Sequence, residues 1–168
     1  MTSTIEKHGF AAIEELRATP GFPSDERLAK GPCAVIECVQ EIPCNPCEAA
    51  CPRNSIKVGV PITNLPILDE DRCTGCGICI ASCPGLAIFV VDMSQKNGKA
   101  SVQFPWEYLP MPVTGSTVEL VNREGVPVTT GTVKDVRTAK AYDRTTVVTV
   151  EVPREKALEV RGIARRPK

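Results

Sequence analysis

Residues 38–52, CVQEIPCNPCEAACP, and residues 73–84, CTGCGICIASCP, organise the rest of the chain. Each segment contains four cysteines and ends in a Cys-Pro pair. The second has the spacing C-x2-C-x2-C-x3-C-P and contains Cys73, Cys76, Cys79 and Cys83. The first has five residues in its opening gap and contains Cys38, Cys44, Cys47 and Cys51. The two segments therefore read as two copies of one cysteine motif.

This spacing indicates iron–sulfur clusters, which cysteine thiolates hold in proteins. Three cysteines two residues apart reach three irons of one four-iron cluster, and the fourth lies in the helical turn that leaves the loop and points toward the other cluster. The predicted ligand sets are therefore crossed. One cluster takes Cys38, Cys44, Cys47 and Cys83, and the other takes Cys51, Cys73, Cys76 and Cys79. Without metal, we expect this region to be largely disordered.

Two alternatives to this assignment stay open. The longer gap after Cys38 leaves it open whether Cys38 or Cys33 completes the first set. Cys38 is closer to the usual spacing, so we expect Cys33 to be a spare buried thiol. Two groups of four cysteines also suit two structural zinc sites, although such sites usually contain pairs of C-x2-C. A zinc-stabilised interaction module is therefore an alternative class of protein.

The composition limits where the chain works and what it binds. The first ten residues, MTSTIEKHGF, show no export signal, which predicts a cytoplasmic location. In that reducing compartment, nine cysteines predict metal binding rather than disulfides. No apolar run has the length of a membrane span. Twenty Lys and Arg balance twenty Asp and Glu, so a nucleic-acid-binding surface is not expected. Residues 33–92 are acidic, with three basic and seven acidic side chains. Residues 134–168 are basic, with ten basic and five acidic side chains.

Hydrophobic patterns predict a mixture of helix and strand. Residues 3–18 have the periodicity of one amphipathic helix, with Ser3 and Glu6 at capping-box spacing. Short strands are predicted around the cysteines at 34–36, 55–58, 65–68 and 86–91. Further strands, rich in Val and Thr, are predicted at 117–122, 126–136, 145–152 and 158–163. So many short strands in about 50 residues suggest a small closed or half-closed barrel.

Residues 104–112, FPWEYLPMP, contain the only tryptophan and three prolines, which exclude a helix. We predict either a lid over its own domain or an exposed anchor for a partner, because aromatic residues and Met are enriched at interfaces. The basic stretch at 161–168 is predicted to be a solvated terminus, with pairing to an acidic subunit as the alternative.

Residues 33–92 resemble a bacterial two-cluster ferredoxin domain, on the motif CTGCGICIASCPG at 73–85. More narrowly, GPCAVIECVQEIPCNPCEAACP at 31–52 is similar to the ferredoxin-like subunits of flavin-dependent proline, hydroxyproline and opine dehydrogenase complexes. Together with the patterns above, this predicts an α+β fold in four segments. These are an N-terminal helical arm (1–32), a ferredoxin-like two-cluster domain (33–92), a linker or anchor strip (93–115) and a small C-terminal β-barrel with a basic tail (116–168).

The resemblance implies an electron-transfer subunit of an oxidoreductase complex. It would relay single electrons, through two 4Fe-4S clusters, from a flavin-containing dehydrogenase partner. The flavin, FAD or FMN, is expected in the partner subunit, and no residue of this chain is expected to be catalytic. A free-standing ferredoxin that shuttles between enzymes is the alternative, although a diffusing carrier needs neither the helical arm nor the C-terminal strands.

Overall fold

The computed structural model describes residues 4–165. Its α-helices are α1 (Thr4–His8), α2 (Ile13–Arg17), α3 (Asp25–Leu28), α4 (Pro46–Ala50) and α5 (Ile78–Ser82). Its strands are β1 (Cys33–Ile36), β2 (Ile56–Lys57), β3 (Ile67–Leu68), β4 (Ile88–Asp92), β5 (Lys99–Trp106), β6 (Thr117–Val121), β7 (Pro127–Arg137), β8 (Thr146–Pro153) and β9 (Gly162–Ile163). The predicted mixture of helices and strands is confirmed.

Seven of these strands form one antiparallel sheet in the order β1-β4-β5-β8-β7-β6-β9. The other two, β2 and β3, form a separate antiparallel pair in which Ile56 faces Leu68. Alternate residues of β5 are buried, from Ala100 through Val102 and Phe104 to Trp106. Because side chains along a strand point to opposite faces, this alternation turns one face of the sheet toward the core.

The predicted C-terminal barrel is wrong. The strands after residue 115 extend the sheet that also contains β1 and β4, and the described strands leave this sheet open, with β1 and β9 at its edges. The reason is β5, which the sequence pattern assigned to the linker but which pairs with β4 on one side and β8 on the other. The sheet therefore runs through the predicted domain boundaries without a break, and the division into four segments stays a prediction.

A single helix is predicted over residues 3–18, but residues 4–18 instead contain two short helices, α1 and α2. Gly9 has a φ of +79°, a left-handed conformation that ends α1. The Glu15 carboxylate then joins the two helices, accepting hydrogen bonds from the backbone N–H of Thr4 at 2.7 Å and of Ala12 at 3.0 Å. Ser3, the predicted cap, lies outside the described residues. No helix in residues 4–165 is both long enough and apolar enough to cross a membrane.

A buried charge cluster joins the first cysteine segment to the C-terminal strands. The carboxylate of Glu37, which directly precedes Cys38, accepts hydrogen bonds from Arg123 Nε at 2.9 Å and from Arg161 Nε at 2.7 Å. The Arg161 side chain is only 4% exposed, and its guanidinium lies over the ring of Phe89. Burial acts to raise the pKa of Glu37, but the two guanidinium groups outweigh it and lower that pKa. The cluster therefore holds an ionised carboxylate beside the first cysteine.

Candidate iron–sulfur centre

The two cysteine segments have the same local fold. Each contains a five-residue helix, α4 or α5, whose second residue is a cysteine, Cys47 or Cys79. The cysteine that follows each helix has an extended backbone, with φ and ψ of −76° and 108° at Cys51 and of −82° and 110° at Cys83. The proline after each of these cysteines favours that extended conformation. The repeated sequence pattern thus gives the two segments the same backbone geometry.

The similarity between the two segments extends beyond the Cys-Pro pairs. Asn54 and Leu86, each three residues after its cysteine, have left-handed φ values of +49° and +53°. One residue later, the chain turns a backbone N–H back to the sulfur. Ser55 N lies 3.3 Å from Cys51 Sγ, and Ala87 N lies 3.5 Å from Cys83 Sγ. Hydrogen bonds of this kind stabilise a thiolate.

One hollow, here called site 1, is lined by four cysteines: Cys38, Cys44, Cys47 and Cys83. Its other walls are mostly apolar and include Ile36, Ile42, Val58 and Ile88. The hollow encloses about 400 Å³ of empty space, part of which is open to solvent. Among the described residues, no charged side chain lines it.

A second hollow, site 2, is lined by the other four cysteines of the two segments: Cys51, Cys73, Cys76 and Cys79. It has about 320 Å³ of empty space, part of which is open to solvent, and is lined by Ala34, Ile56 and Val90, together with Arg53 and Ser55. Each hollow therefore combines three cysteines of one segment with the last cysteine of the other. This is the combination expected from the crossed ligand sets, and which sulfurs bind iron stays a prediction.

Cys33 lines neither hollow. It is fully buried in β1, and its neighbour Ala34 donates a backbone hydrogen bond to Cys73 Sγ at 3.4 Å. A hydrogen bond between the two thiols lowers the pKa of Cys73 to about 5 and, together with burial, raises the pKa of Cys33. The structure thus brings Cys38 into site 1 and leaves Cys33 beside a cysteine of site 2.

Burial and hydrogen bonding also shift the pKa values of other cysteines that line the two hollows. Burial, followed by the neighbouring cysteines, raises the pKa of Cys47 to about 11 and also raises the pKa of Cys79. Burial acts to raise the pKa of Cys51 as well, but hydrogen bonds from Ser55 and the backbone outweigh it and lower that pKa. Buried thiols crowded together become thiolates when a metal supplies positive charge. Four thiols around a hollow, with N–H groups directed at sulfur, fit a multi-iron cluster, whose ligands bind different irons.

No three His, Cys, Asp or Glu side chains within residues 4–165 come together in the way a single metal ion requires. In each hollow four cysteines are among the lining residues.

Two arginines that no sequence motif singled out hold the second cysteine loop. Arg27, in α3, donates to the backbone oxygens of Cys73 at 2.6 Å and of Glu70 at 2.7 Å. Arg137, at the end of β7, donates to the backbone oxygen of Cys76 at 3.4 Å and to Gln103 Oε1 at 2.9 Å. These contacts join residues 46 and 61 positions apart, and no local sequence signal marks them.

Comparison with known protein families gives a class for this geometry. Residues 66–89, which contain the second cysteine segment, match the family described as the 4Fe-4S binding domain. The chain thus contains a ferredoxin-type 4Fe-4S binding domain.

Individual relatives cover only part of the chain. It is 34% identical over 61 residues to the ferredoxin-type protein NapF of Haemophilus influenzae, a match that spans 35% of each chain. It is 28% identical to Protein Pixie of Drosophila melanogaster over 56% of this chain and 16% of that protein. It is 42% identical to the polyferredoxin-like subunit of the aliphatic sulfonate oxidoreductase of Pyrococcus furiosus, over 29% of this chain and 27% of that protein. The matches thus span about a third or less of each of these relatives. No solved structure matches the chain.

Proposed function

We propose that this protein is a non-catalytic electron-transfer subunit that binds two 4Fe-4S clusters, one in site 1 and one in site 2. The observation that carries the proposal is the crossing of the cysteines into two separate hollows, each with four thiols. Such a set of donors supplies one cysteine for each of the four irons of a cluster. A bound cluster would supply reversible one-electron chemistry.

The residues of the chain hold and shield these groups. Cys51 and Cys83 each belong to one segment and reach the hollow of the other, so they join the two halves of the site. The backbone N–H groups of Ser55 and Ala87 donate to these sulfurs and stabilise their thiolate form. Apolar walls such as Ile36 and Ile88, which are buried, limit the access of water.

We further propose that the electrons come from a flavin-containing dehydrogenase subunit in the cytoplasm. A partner is supported by the match to a protein named as the polyferredoxin-like subunit of another oxidoreductase. The flavin dehydrogenase is what the resemblance of residues 31–52 implies. The stretch after β5 also exposes apolar side chains, with Leu109 84% exposed and Tyr108 and Met111 partly exposed. A reduced flavin releases two electrons, which two one-electron sites would receive singly.

The cluster content tests the central claim. After anaerobic purification and reconstitution, we expect about eight irons and eight sulfides per chain and a brown protein with a broad absorption band near ~400 nm. About four irons would mean that only one hollow binds a cluster. A colourless protein with stoichiometric zinc would support the zinc-stabilised module instead.

The crossing of the ligand sets has its own test. Cys83→Ala should impair the cluster of site 1, and Cys51→Ala should impair the cluster of site 2, as followed by iron content and by EPR of the reduced protein. Cys33→Ala is the comparison variant: Cys33 lines neither hollow, and although its thiol hydrogen-bonds to Cys73, the substitution removes no proposed ligand and should still leave about eight irons bound. If Cys83→Ala instead removes the EPR signal that is lost in Cys73→Ala, the sets are not crossed.

The partner is tested by native mass spectrometry of the complex isolated from its own source without air. A heteromer that contains a flavoprotein supports the subunit role. A lone monomer that still accepts electrons supports the free-standing ferredoxin.

A further inference from the structure

The mirrored segments differ in the residues that follow the Cys-Pro pairs. Arg53, Asn54 and Ser55 follow Pro52, whereas Gly85, Leu86 and Ala87 follow Pro84. Ser55 Oγ lies 3.1 Å from Cys51 Sγ, in addition to the backbone contact at 3.3 Å, so it donates a second hydrogen bond when the sulfur is a thiolate. Ala87 has no hydroxyl group, so this residue gives Cys83 only the backbone contact at 3.5 Å. The sulfur of site 2 thus receives a hydrogen bond that its counterpart in site 1 lacks.

The charges differ in the same direction. Arg53 lines site 2, whereas Gly85, the residue at the equivalent sequence position after Pro84, does not line site 1. Arg137 Nη1 lies 3.4 Å from the backbone oxygen of Cys76, and its buried Nε has no hydrogen-bond partner among the described residues. No charged side chain in the described chain lines site 1.

Other charges near the two sites do not reverse this difference. Arg27 donates to the backbone oxygen of Cys73 and so adds positive charge beside site 2, whereas the Glu70 carboxylate accepts its hydrogen bonds from Ser24. The cluster of Glu37, Arg123 and Arg161 has a net positive charge and, like Arg137, lines neither hollow. Arg137 differs because it donates to the backbone of Cys76, a cysteine of site 2, whereas both arginines of the cluster are paired with Glu37.

These differences act on reduction in a defined direction. Adding an electron makes the group in the hollow more negative, and hydrogen bonds to its thiolates and nearby cations stabilise that added charge. Burial acts the opposite way, and site 2 has two buried cysteines, Cys73 and Cys79, against one, Cys47, in site 1. Cys76 of site 2 is exposed, however, which limits the burial of that site. Hydrogen bonds to a charged sulfur act at contact distance and are stronger than bonds between neutral groups.

We propose, on the basis of the two-cluster function above, that site 2 has the higher reduction potential and is where an electron comes to rest in this chain. Whichever cluster first accepted an electron from the partner's reduced flavin, that electron would come to rest in site 2, so a cluster in site 1 that had been reduced by one electron would be reoxidised as the cluster in site 2 was reduced by one. Ser55 is a positioning residue that acts through Cys51. Arg53 and Arg137 add positive charge at the same site.

The test is a redox titration of the anaerobic holoprotein, monitored by EPR. We expect two midpoint potentials in the wild type. Ser55→Ala should lower the higher one, with the equilibrium constant for reduction falling about tenfold, or about 59 mV for one electron. Ala87→Ser, which places a hydroxyl at the mirrored position, should raise the lower one. Ser82→Ala is the matched control, because Ser82 Oγ donates to the Ile78 carbonyl and not to sulfur, and it should shift neither potential.

Each other outcome has a defined meaning. If Ser55→Ala shifts the lower potential, or shifts neither in a protein with both clusters, the inference is overturned while the two-cluster function stands. If Ser55→Ala fails to take up clusters, Arg137→Gln replaces it and should lower the same higher potential, and no shift there overturns the inference. A wild type with fewer than two clusters would instead contradict the proposed function.

Discussion

Gly75 shows how closely the second cysteine loop packs at the level of a single residue. Its φ is +65°, and a Cβ placed on it would lie 2.5 Å from Pro32 Cβ and 2.7 Å from the Pro32 backbone oxygen. Real side chains do not approach so closely, so the loop and the segment before β1 would have to separate. The glycine therefore keeps Cys73 and Cys76 in position against that segment.

We predict that Gly75→Ala reduces iron content and destabilises the protein far more than Gly125→Ala. Gly125 is the matched control, because its φ of +77° is similar but a Cβ there would meet nothing within 4 Å. The control should cost about 1–2 kcal/mol for the left-handed conformation alone. Gly75→Ala should cost a further ~1–3 kcal/mol, which is typical of overpacking. Iron analysis and anaerobic denaturant unfolding measure both effects, and equal losses would show that the loop does not press on Pro32.

The cysteines could be grouped from the sequence because a spacing of two or three residues fixes which sulfurs share a loop. Their supporting residues could not be found in this way. Arg27 reaches Cys73 across 46 residues, and Arg137 reaches Cys76 across 61. Neither arginine belongs to a local sequence pattern, and both contacts form only because the fold brings distant segments of the chain together.

At the level of elements, strands with alternating or continuous apolar residues were predictable, whereas β5 was not. Proline at position 105 argues against a strand with neighbours on both sides. The register explains why it is tolerated here, since β4 pairs only with residues 101–103 of β5 and Pro105 lies beyond that contact. Missing β5 also produced the error about the barrel, because β5 is the strand that joins β4 to β8.

Three neighbouring strands are joined by a group of surface charges. Glu151 of β8 lies 2.7 Å from Lys99 Nζ of β5 and 3.8 Å from Lys134 Nζ of β7. The hydrogen bond from Lys99, followed by the charge of Lys134, outweighs burial and lowers the pKa of Glu151. A lowered folded pKa means that this contribution to stability is present above the unfolded value of about 4.3 and is lost as the pH falls through the folded value.

We therefore predict that Glu151→Gln lowers the free energy of unfolding by about 0.2–1 kcal/mol, and by the same amount at every pH from 6 to 8. The carboxylate is ionised throughout that range in both the folded and the unfolded chain. Anaerobic denaturant unfolding at several pH values measures the difference, which should shrink at high salt. A difference that changes steadily between pH 6 and 8 would show that another group controls it.

For the molecule as a whole, a single sheet connects the cysteine segments to the C-terminal strands. Its central core contains Val102, Phe104, Val148 and Val150, all fully buried. None of these residues belongs to a cysteine segment. The sequence alone suggested a region held together by metal, and the structure adds a sheet that packs by ordinary apolar burial.

Removal of iron by a chelator should therefore unfold the protein only in part. We predict that residues 38–87 lose their protection from hydrogen exchange, because they bury few large side chains without metal. Strands β5, β7 and β8 should keep most of theirs. Hydrogen exchange with mass spectrometry of the holo and apo forms measures both regions, and a uniform loss of protection would show that the sheet depends on the clusters.

The charge cluster around Glu37 can form only after the C-terminal part of the chain has been synthesised. A ribosome adds Arg123 86 residues after Glu37 and Arg161 124 residues after it. Until both arginines have emerged, Glu37 is a hydrated carboxylate next to a cysteine whose flanking strand is not yet clamped. Iron delivered to the nascent polypeptide meets this open arrangement, and iron delivered after chain release meets a closed one.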